Sequence, residues 1–310
     1  MDLAADRNVE ALLKGELARE YRAVSAVVPV LRHLLASDAQ SMLSDAVLAR
    51  VRGMMSDCAA QLLAASEGRD PAARMAHPGD PVVIDRWTDA LMQDEALLGF
   101  CHALALEAVL AERFQQRHAI DPVLSPLLQE LIASPDPGVA ALAMSTLAAQ
   151  SRFLQTQRRM ELPLGELPAE LFFAVIARCQ GLVADPAARS RIALLQQSYD
   201  EASSRLGLLA RLVAAMRQGA FAALALDHAG IALCATTLAA RHRQSHGEWV
   251  LACHEGQGIR FALALRAAEV ALPVIERQFA LVEPSARLPR AIAELSAERA
   301  AALLAAGGGM

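Results

Sequence analysis

The sequence predicts an all-α protein made of stacked antiparallel helix pairs, with a helical bundle towards the C-terminal end. Apolar residues make up 55% of the 310 residues and aromatic residues only 4%. Alanine and leucine, both strong helix formers, supply the difference. Apolar positions recur at helical spacing along the chain. No alternation of Val, Ile or Thr with a period of two extends over five residues, so we expect no sheet.

Residues 134–154 show this pattern most clearly. Asp136 is suited to cap the free backbone N–H groups at a helix start, and Pro137 is suited to the first helical turn. The residues that follow interleave large apolar side chains with alanine, with almost no β-branched residue after Val139. An Asp-led turn followed by such a helix is typical of HEAT-like helical repeats. Asp121-Pro122 opens another helical segment in the same way, which favours a tandem of helix pairs.

Helical spacing and turn residues divide the chain into elements. The sequence predicts helices over residues 6–35, 38–65, 81–92, 94–116, 121–132, 137–154, 169–183, 185–218, 219–240, 259–270, 273–281 and 288–304. Residues 6–35 are expected to form one or two helices, with a kink or break near Pro29, and Ser37 or Asp38 is expected to cap the second predicted helix. The predicted organisation is an N-terminal helical stack over 1–160, a C-terminal helical bundle over 161–305 and a disordered tail over 306–310.

The charge pattern argues against a nucleic-acid partner. The net charge is −5, and since Lys14 is the only lysine, 28 of the 29 basic residues are arginine. The arginines are scattered, usually close to acidic residues, and no run forms the basic stripe that a nucleic-acid groove requires. We therefore expect no nucleic-acid partner.

Residues 219–240 are the stretch most like a membrane span, but Asp227 and His228 lie near its middle. An acid there costs about 2.5–3.5 kcal/mol, which alanine-rich flanks do not offset, so we expect a buried helix.

The N-terminus is acidic from Asp2 onward and lacks the apolar core of a secretory signal. The five cysteines lie among apolar neighbours without a CxxC pair. We therefore predict a cytoplasmic protein with reduced thiols and no membrane contact.

The most chemically suggestive residues are two histidines and a Cys–His pair late in the chain. His242 and His246 are four residues apart, which places both imidazoles on one face if a single helix contains them. Cys253 and His254 follow after a short loop and are the candidates to complete a tetrahedral metal site. Residues 245–247 resemble a helix end, however, where histidines are common because imidazolium complements the helix dipole. The preferred interpretation is a solvated helix end with no metal and no cofactor.

Motifs for catalysis are missing. The sequence contains no GxSxG or SxxK, no GxxxxGK[ST] or GxGxxG, and no DDxxD or paired ExxH. We therefore expect no catalytic residues and favour a non-enzymatic protein.

The charged segment over 185–218 is expected to form a solvated helix face, with docking of a partner as the alternative. Its predicted surface residues are Arg189, Arg191, Asp200, Glu201, Arg205, Arg211 and Arg217.

Four stretches carry a resemblance to a known family. They are LASDAQSMLSDAVLARVRGMMSDCAAQLLAA (35–65), DEALLGFCHALALEAVLAERF (94–114), DPVLSPLLQELIASPDPGVAALAMSTLAAQSRFLQTQRRMELPLGELPAELF (121–172) and GQGIRFALALRAAEVALPVIERQF (256–279). The chain resembles an alphaproteobacterial helical family catalogued as a domain of unknown function, number twenty-three thirty-six. The resemblance spans most of the chain and implies an all-helical, HEAT-like, cytoplasmic protein. It implies no assigned activity and no site residues.

These observations favour a protein-interaction or regulatory scaffold. Stacked helix pairs hold each other rigid and offer a long surface on which a protein partner docks with little ordering cost. Homodimerisation through exposed Leu and Ala faces is expected from the apolar excess. The alternative is a metal- or small-molecule-binding helical protein that uses His242, His246, Cys253 and His254.

Overall fold

The computed structural model describes residues 3–36, 44–74, 76 and 78–307, and over these residues it contains helices and no β-strand. The predicted all-α class is confirmed, while the HEAT-like geometry stays a prediction. The described α-helices are α1 (Leu3–Ala36), α2 (Asp45–Ser66), α3 (Pro81–Leu91), α4 (Glu95–His118), α5 (Pro126–Ile132), α6 (Pro137–Arg158), α7 (Ala169–Leu182), α8 (Pro186–Leu194), α9 (Arg205–Met216), α10 (Leu226–His242), α11 (His246–Ala252), α12 (Gly258–Ala267), α13 (Leu272–Val282), α14 (Arg290–Glu294) and α15 (Ala297–Gly307). Short 3₁₀ helices span Pro71–Ala73, Leu164–Glu166, Leu195–Gln197, Glu201–Ser203 and Arg217–Leu224.

Acid–proline pairs start helices, as the sequence predicted. Asp136 Oδ1 accepts the backbone N–H of Gly138 at 2.8 Å and that of Val139 at 3.3 Å, with Pro137 in the first turn of α6. The same arrangement opens α3 and α8. Asp121 is different, because its carboxylate caps only a turn and α5 begins after a serine cap four residues later.

Several predicted boundaries differ from the structure. α1 begins at Leu3 and contains Pro29 within a single helix, which is one of the two arrangements predicted for 6–35. α2 begins at Asp45, because the Ser44 side chain accepts the N–H of Val47 and so caps the helix start. The expected caps within 37–43 and residues 308–310 of the predicted tail lie outside the described residues, whereas residues 306–307 of that tail belong to α15 and are not disordered as predicted. The single helix predicted over 185–218 is instead α8, two 3₁₀ turns and α9, followed by the start of a third 3₁₀ helix.

The chain forms two compact units, and both are discontinuous in sequence. The first unit comprises 1–27, 110–133 and 216–310, and the second comprises 28–109 and 134–215. This grouping differs from the predicted division at residue 160. The reason lies in the second unit, where α2 packs against α3 and α8, and α3 packs against α7. Residues beyond 160 therefore complete a core that begins before residue 110.

Small and flexible apolar side chains fill both cores. In the second unit, Met54 and Met55 of α2 are fully buried. All five cysteines are buried and none forms a disulfide. Burial raises the pKa of the Cys101 thiol to about 12. These thiols therefore behave as small apolar side chains and not as nucleophiles.

The apolar segment that resembled a membrane span forms the centre of the first unit. α10 is buried along most of its length and packs against α5, α11 and α13. It bends at Gly230, whose φ of 71° and ψ of 168° suit only glycine and bring it against the Ser125 side chain. By length and hydropathy, the one described stretch suited to cross a membrane is Arg205–Leu224. Its α-helical part ends before Arg217, which has a φ of 52°.

Gly207, in the first turn of α9, lies close to the backbone of the 3₁₀ helix Glu201–Ser203. An added Cβ would lie 2.1 Å from the Glu201 carbonyl oxygen, which belongs to backbone. We expect Gly207→Ala to lower the free energy of unfolding by about 1–3 kcal/mol, measured by urea denaturation. Gly15→Ala on the exposed face of α1, with nothing within 4 Å, is the control and should raise it by up to about 1 kcal/mol. Equal effects of the two substitutions would contradict the close approach.

Candidate functional site

The second unit contains a cavity of about 260 Å³, here called the α6 cavity. α4, α6, α9 and the 3₁₀ segment before α7 provide its walls. Its lining residues are Phe100, Leu104, Arg152, Phe153, Thr156, Gln157, Leu162, Pro163, Glu166, Arg205 and Leu206. Most of this lining is apolar, and the polar groups are few, as is usual for small-molecule sites.

One face of α6 supplies four of the lining residues. Arg152, Phe153, Thr156 and Gln157 lie one turn apart in pairs, so a single helix face presents all four. After Arg158 the helix ends and the chain reverses through Met160, whose φ is 58°. The reversal brings the following segment back over the end of the helix face.

Polar side chains of α2 fix the returning segment. Gln61 Nε2 donates to the Leu162 carbonyl at 2.8 Å, and the Leu164 N–H donates to Gln61 Oε1 at 3.0 Å. The Asp57 carboxylate accepts the Leu162 N–H at 2.9 Å and is also held by Arg74. Burial raises the pKa of Asp57, and the interaction with Arg74 opposes that rise. This wall of the cavity therefore has its backbone hydrogen bonds satisfied by side chains.

A fully buried ion pair borders the cavity. Arg205 is 2% exposed and Glu107 is 0% exposed, and the guanidinium donates to both carboxylate oxygens at 2.7 and 2.6 Å. Arg205 also donates to Gln150 Oε1 at 3.0 Å, and its guanidinium carbon lies 3.8 Å from the centre of the Phe153 ring. Its backbone N–H donates to Glu166 at 2.7 Å. Bidentate pairing with further hydrogen bonds is what a buried arginine requires.

Arg205 was predicted to lie on a solvated helix face, and that prediction is wrong. It assumed one helix over 185–218, whereas α9 starts at Arg205 after a turn that directs the side chain inward. The partner Glu107 was not identified. An available signal was its position as a single acid within the apolar run ALALEAVLA, because a buried acid requires a buried cation.

Gln157 provides an unsatisfied acceptor inside the cavity wall. The residue is 2% exposed, its Nε2 lies 3.1 Å from the Met54 sulfur, and its Oε1 has no partner among the described residues. The opposite amide orientation would place the carbonyl oxygen against the thioether, which has no hydrogen to donate. A buried acceptor without a donor costs about 1–3 kcal/mol, and Gln157 is the lining residue of the α6 cavity that carries one.

The structure does not bring the predicted metal candidates together. α10 ends at His242, Arg243 adopts a φ of 53°, and a new helix, α11, begins at His246 after the Ser245 cap. The two histidines therefore do not share a helix face as their spacing suggested. Across the described residues, no group of three or more His, Cys, Asp or Glu side chains is placed to hold a metal ion.

Each candidate residue has its own surroundings in the first unit. The His242 ring packs on Trp249 with centroids 4.9 Å apart, and burial, then Arg241 and Arg260, lower its pKa. His246 Nδ1 lies 3.0 Å from Thr236 Oγ1. Cys253 is buried, and His254 Nδ1 lies 2.7 Å from the Glu255 carbonyl oxygen. The metal alternative stays a prediction that no shared geometry supports.

The first unit contains a buried carboxyl group at the start of α12. Glu20 is 2% exposed and accepts the backbone N–H of Arg260 at 3.0 Å. The Arg260 guanidinium is neutralised elsewhere, by Glu248 at 2.7 Å, and lies over the Tyr21 and Trp249 rings. Burial raises the pKa of Glu20 to about 7, although the backbone hydrogen bonds at the start of α12 oppose the rise.

Glu20 should make stability depend on pH. The folded chain keeps the Glu20 proton up to about pH 7, whereas the unfolded chain releases it near the ordinary glutamate pKa of 4.5. The free energy of unfolding should therefore fall as pH rises through this window, by up to about 3 kcal/mol. In Glu20→Gln the free energy of unfolding should no longer fall across this window, as measured by urea denaturation between pH 5 and 8. The surface variant Glu276→Gln on α13 is the control, and an unchanged pH profile in Glu20→Gln would contradict the assignment.

The stability of the folded chain should depend on both members of the Arg205–Glu107 pair. Glu107→Gln leaves the arginine charge buried without a counter-charge and should lower the free energy of unfolding by about 3–5 kcal/mol. The apolar double variant Arg205→Met with Glu107→Leu should lose much less than the two single changes summed. Arg159→Gln, at an exposed ion pair with Glu161, should change stability by less than about 1 kcal/mol. Additive losses in urea denaturation would contradict the coupling.

Comparisons with known proteins do not identify a relative. A scan against protein-family models, a search of curated proteins and a search of solved structures each find no match to this chain. The resemblance to an alphaproteobacterial family therefore stays a prediction. The α6 cavity is the candidate site on the strength of its own geometry.

Proposed function

We propose that this protein is a non-catalytic helical binding protein that holds one small, largely apolar molecule in the α6 cavity. The observation that carries the proposal is the unpartnered Oε1 of Gln157, buried at the wall of an apolar cavity. A ligand with an N–H or O–H group would satisfy this acceptor, and the apolar walls would bind the rest of the molecule.

The cavity volume limits the size of the ligand. An apolar cavity of about 150 Å³ holds a benzene molecule. At about 260 Å³, the α6 cavity is suited to one ring with a short substituent. Phe100, Leu104 and Phe153 offer apolar and aromatic contact surfaces for such a ring. The apolar area then supplies affinity, and the Gln157 acceptor supplies orientation.

The interaction scaffold stays a prediction beside this proposal. Large apolar side chains are exposed on several different helices, which the scaffold hypothesis would use for docking. Scattered exposed apolar residues are usual on monomeric proteins, so they do not favour a docking surface. A binding protein with a small-molecule cavity is compatible with a regulatory role, since ligand binding stabilises the state that it occupies.

The proposal predicts that binding depends on the donor group of the ligand. p-Cresol and p-xylene have nearly the same shape and differ by a hydroxyl in place of a methyl group. We expect the ratio of their Kd values, p-xylene over p-cresol, to fall about tenfold or more in Gln157→Met, because the hydroxyl loses its buried acceptor. Isothermal titration calorimetry measures both constants. Gln155→Met, on the exposed side of the same helix, should leave the ratio unchanged.

A second pair of variants tests the location independently of hydrogen bonding. Leu206→Trp should fill the cavity and abolish binding of both compounds, while the exposed Leu194→Trp should not affect either. Binding that survives Leu206→Trp, or a Kd ratio that is the same in Gln157→Met and the wild type, would rule out the α6 cavity as the binding site.

A further inference from the structure

An arginine without an ion-pair partner lies at the exposed end of the α6 cavity. Arg152 lines the cavity, is exposed to solvent, and makes no ion pair with any residue that the structure describes. It lies on the same helix as Gln157, one turn before Thr156. The cavity therefore has a buried neutral acceptor at one position and a solvent-exposed cation at another.

The spacing of these two groups constrains the ligand. Five residues of α-helix separate Arg152 from Gln157, which corresponds to about 7.5 Å along the helix axis. The long side chain of Arg152 extends from its backbone position, so this rise sets a length scale and not a fixed distance. A benzene ring carrying the two groups at opposite positions matches that scale.

The other charged groups of the cavity already make hydrogen bonds within the protein. The Arg205 guanidinium is neutralised by Glu107 and donates to Gln150. The Glu166 carboxylate accepts the N–H of Arg205 at the start of α9, where the helix dipole stabilises a negative charge. Arg152 is therefore the lining cation that remains for an anionic ligand.

We propose that the ligand is a hydroxyaryl carboxylic acid, an inference that rests on the proposed function. The aromatic hydroxyl donates to Gln157 Oε1, and the ring packs against Phe100, Leu104 and Phe153. The carboxylate extends to the exposed end and pairs with the Arg152 guanidinium, which is suited to bind a carboxylate with two parallel hydrogen bonds.

Three probes separate the two ends of such a ligand. 4-Hydroxyphenylacetate carries both groups, p-cresol only the hydroxyl, and phenylacetate only the carboxylate. At low salt the full-length wild-type protein should bind 4-hydroxyphenylacetate about three- to fivefold more tightly than p-cresol, because the pair with Arg152 is solvent-exposed. This advantage should be lost at about 0.5 M salt, which screens exposed charges. Phenylacetate should bind more weakly than 4-hydroxyphenylacetate.

Two charge-removing variants on α6 test the role of Arg152. In Arg152→Gln the Kd values of 4-hydroxyphenylacetate and p-cresol should become about equal, while the Kd of p-cresol stays unchanged. Arg158→Gln removes the same charge from an exposed residue that does not line the cavity and should preserve the advantage. Isothermal titration calorimetry at two salt concentrations measures all of these constants.

The outcomes distinguish this inference from the function on which it rests. If p-cresol binds but 4-hydroxyphenylacetate binds no more tightly, or if Arg152→Gln keeps the advantage, the carboxylate assignment is wrong and the binding function stands. If phenylacetate binds as tightly as 4-hydroxyphenylacetate, the hydroxyl assignment is wrong. If none of the three probes binds at millimolar concentration, both the inference and the proposed function are overturned.

Discussion

The buried ion pair between Arg205 and Glu107 is the constraint on which the second unit depends. Two charges removed from water are tolerated only when each is satisfied in a fixed geometry. Here that geometry includes both carboxylate oxygens, the Gln150 side chain and the face of the Phe153 ring. These residues belong to α4, α6 and α9, so the pair fixes the relative placement of three helices. The α6 cavity lies between the same helices and owes its shape to this arrangement.

Local chemistry allowed much of the fold to be predicted. Asp136 and Pro137 start α6 where capping rules place them, and the absence of period-two alternation matches a structure without strands over the described residues. Helix start signals act through the next few backbone N–H groups, so a sequence reveals them directly. The grouping of segments into the two units could not be predicted in the same way, because packing between distant helices decides which segments share a core.

The candidate site was largely hidden from sequence reasoning. Gln157 lies in the polar run QTQRR, which is typical of a solvated helix end. It is buried against Met54 of α2, about a hundred residues earlier, and Gln61 and Asp57 of the same helix hold the segment after α6. Arg205 was misplaced for a related reason, since its direction depends on where α9 begins. Polar residues whose burial is set by distant partners carry no local signal of that burial.

The order of synthesis gives the buried pair a further consequence. Glu107 precedes Arg205 by 98 residues, so a growing chain exposes the acid long before its cation exists. At about 5–20 residues per second, the interval is roughly 5–20 s. During that time burial of the Glu107 carboxylate would leave a charge without its counter-charge, which is strongly unfavourable. We therefore expect the core around Glu107 to be completed only after α9 has been synthesised.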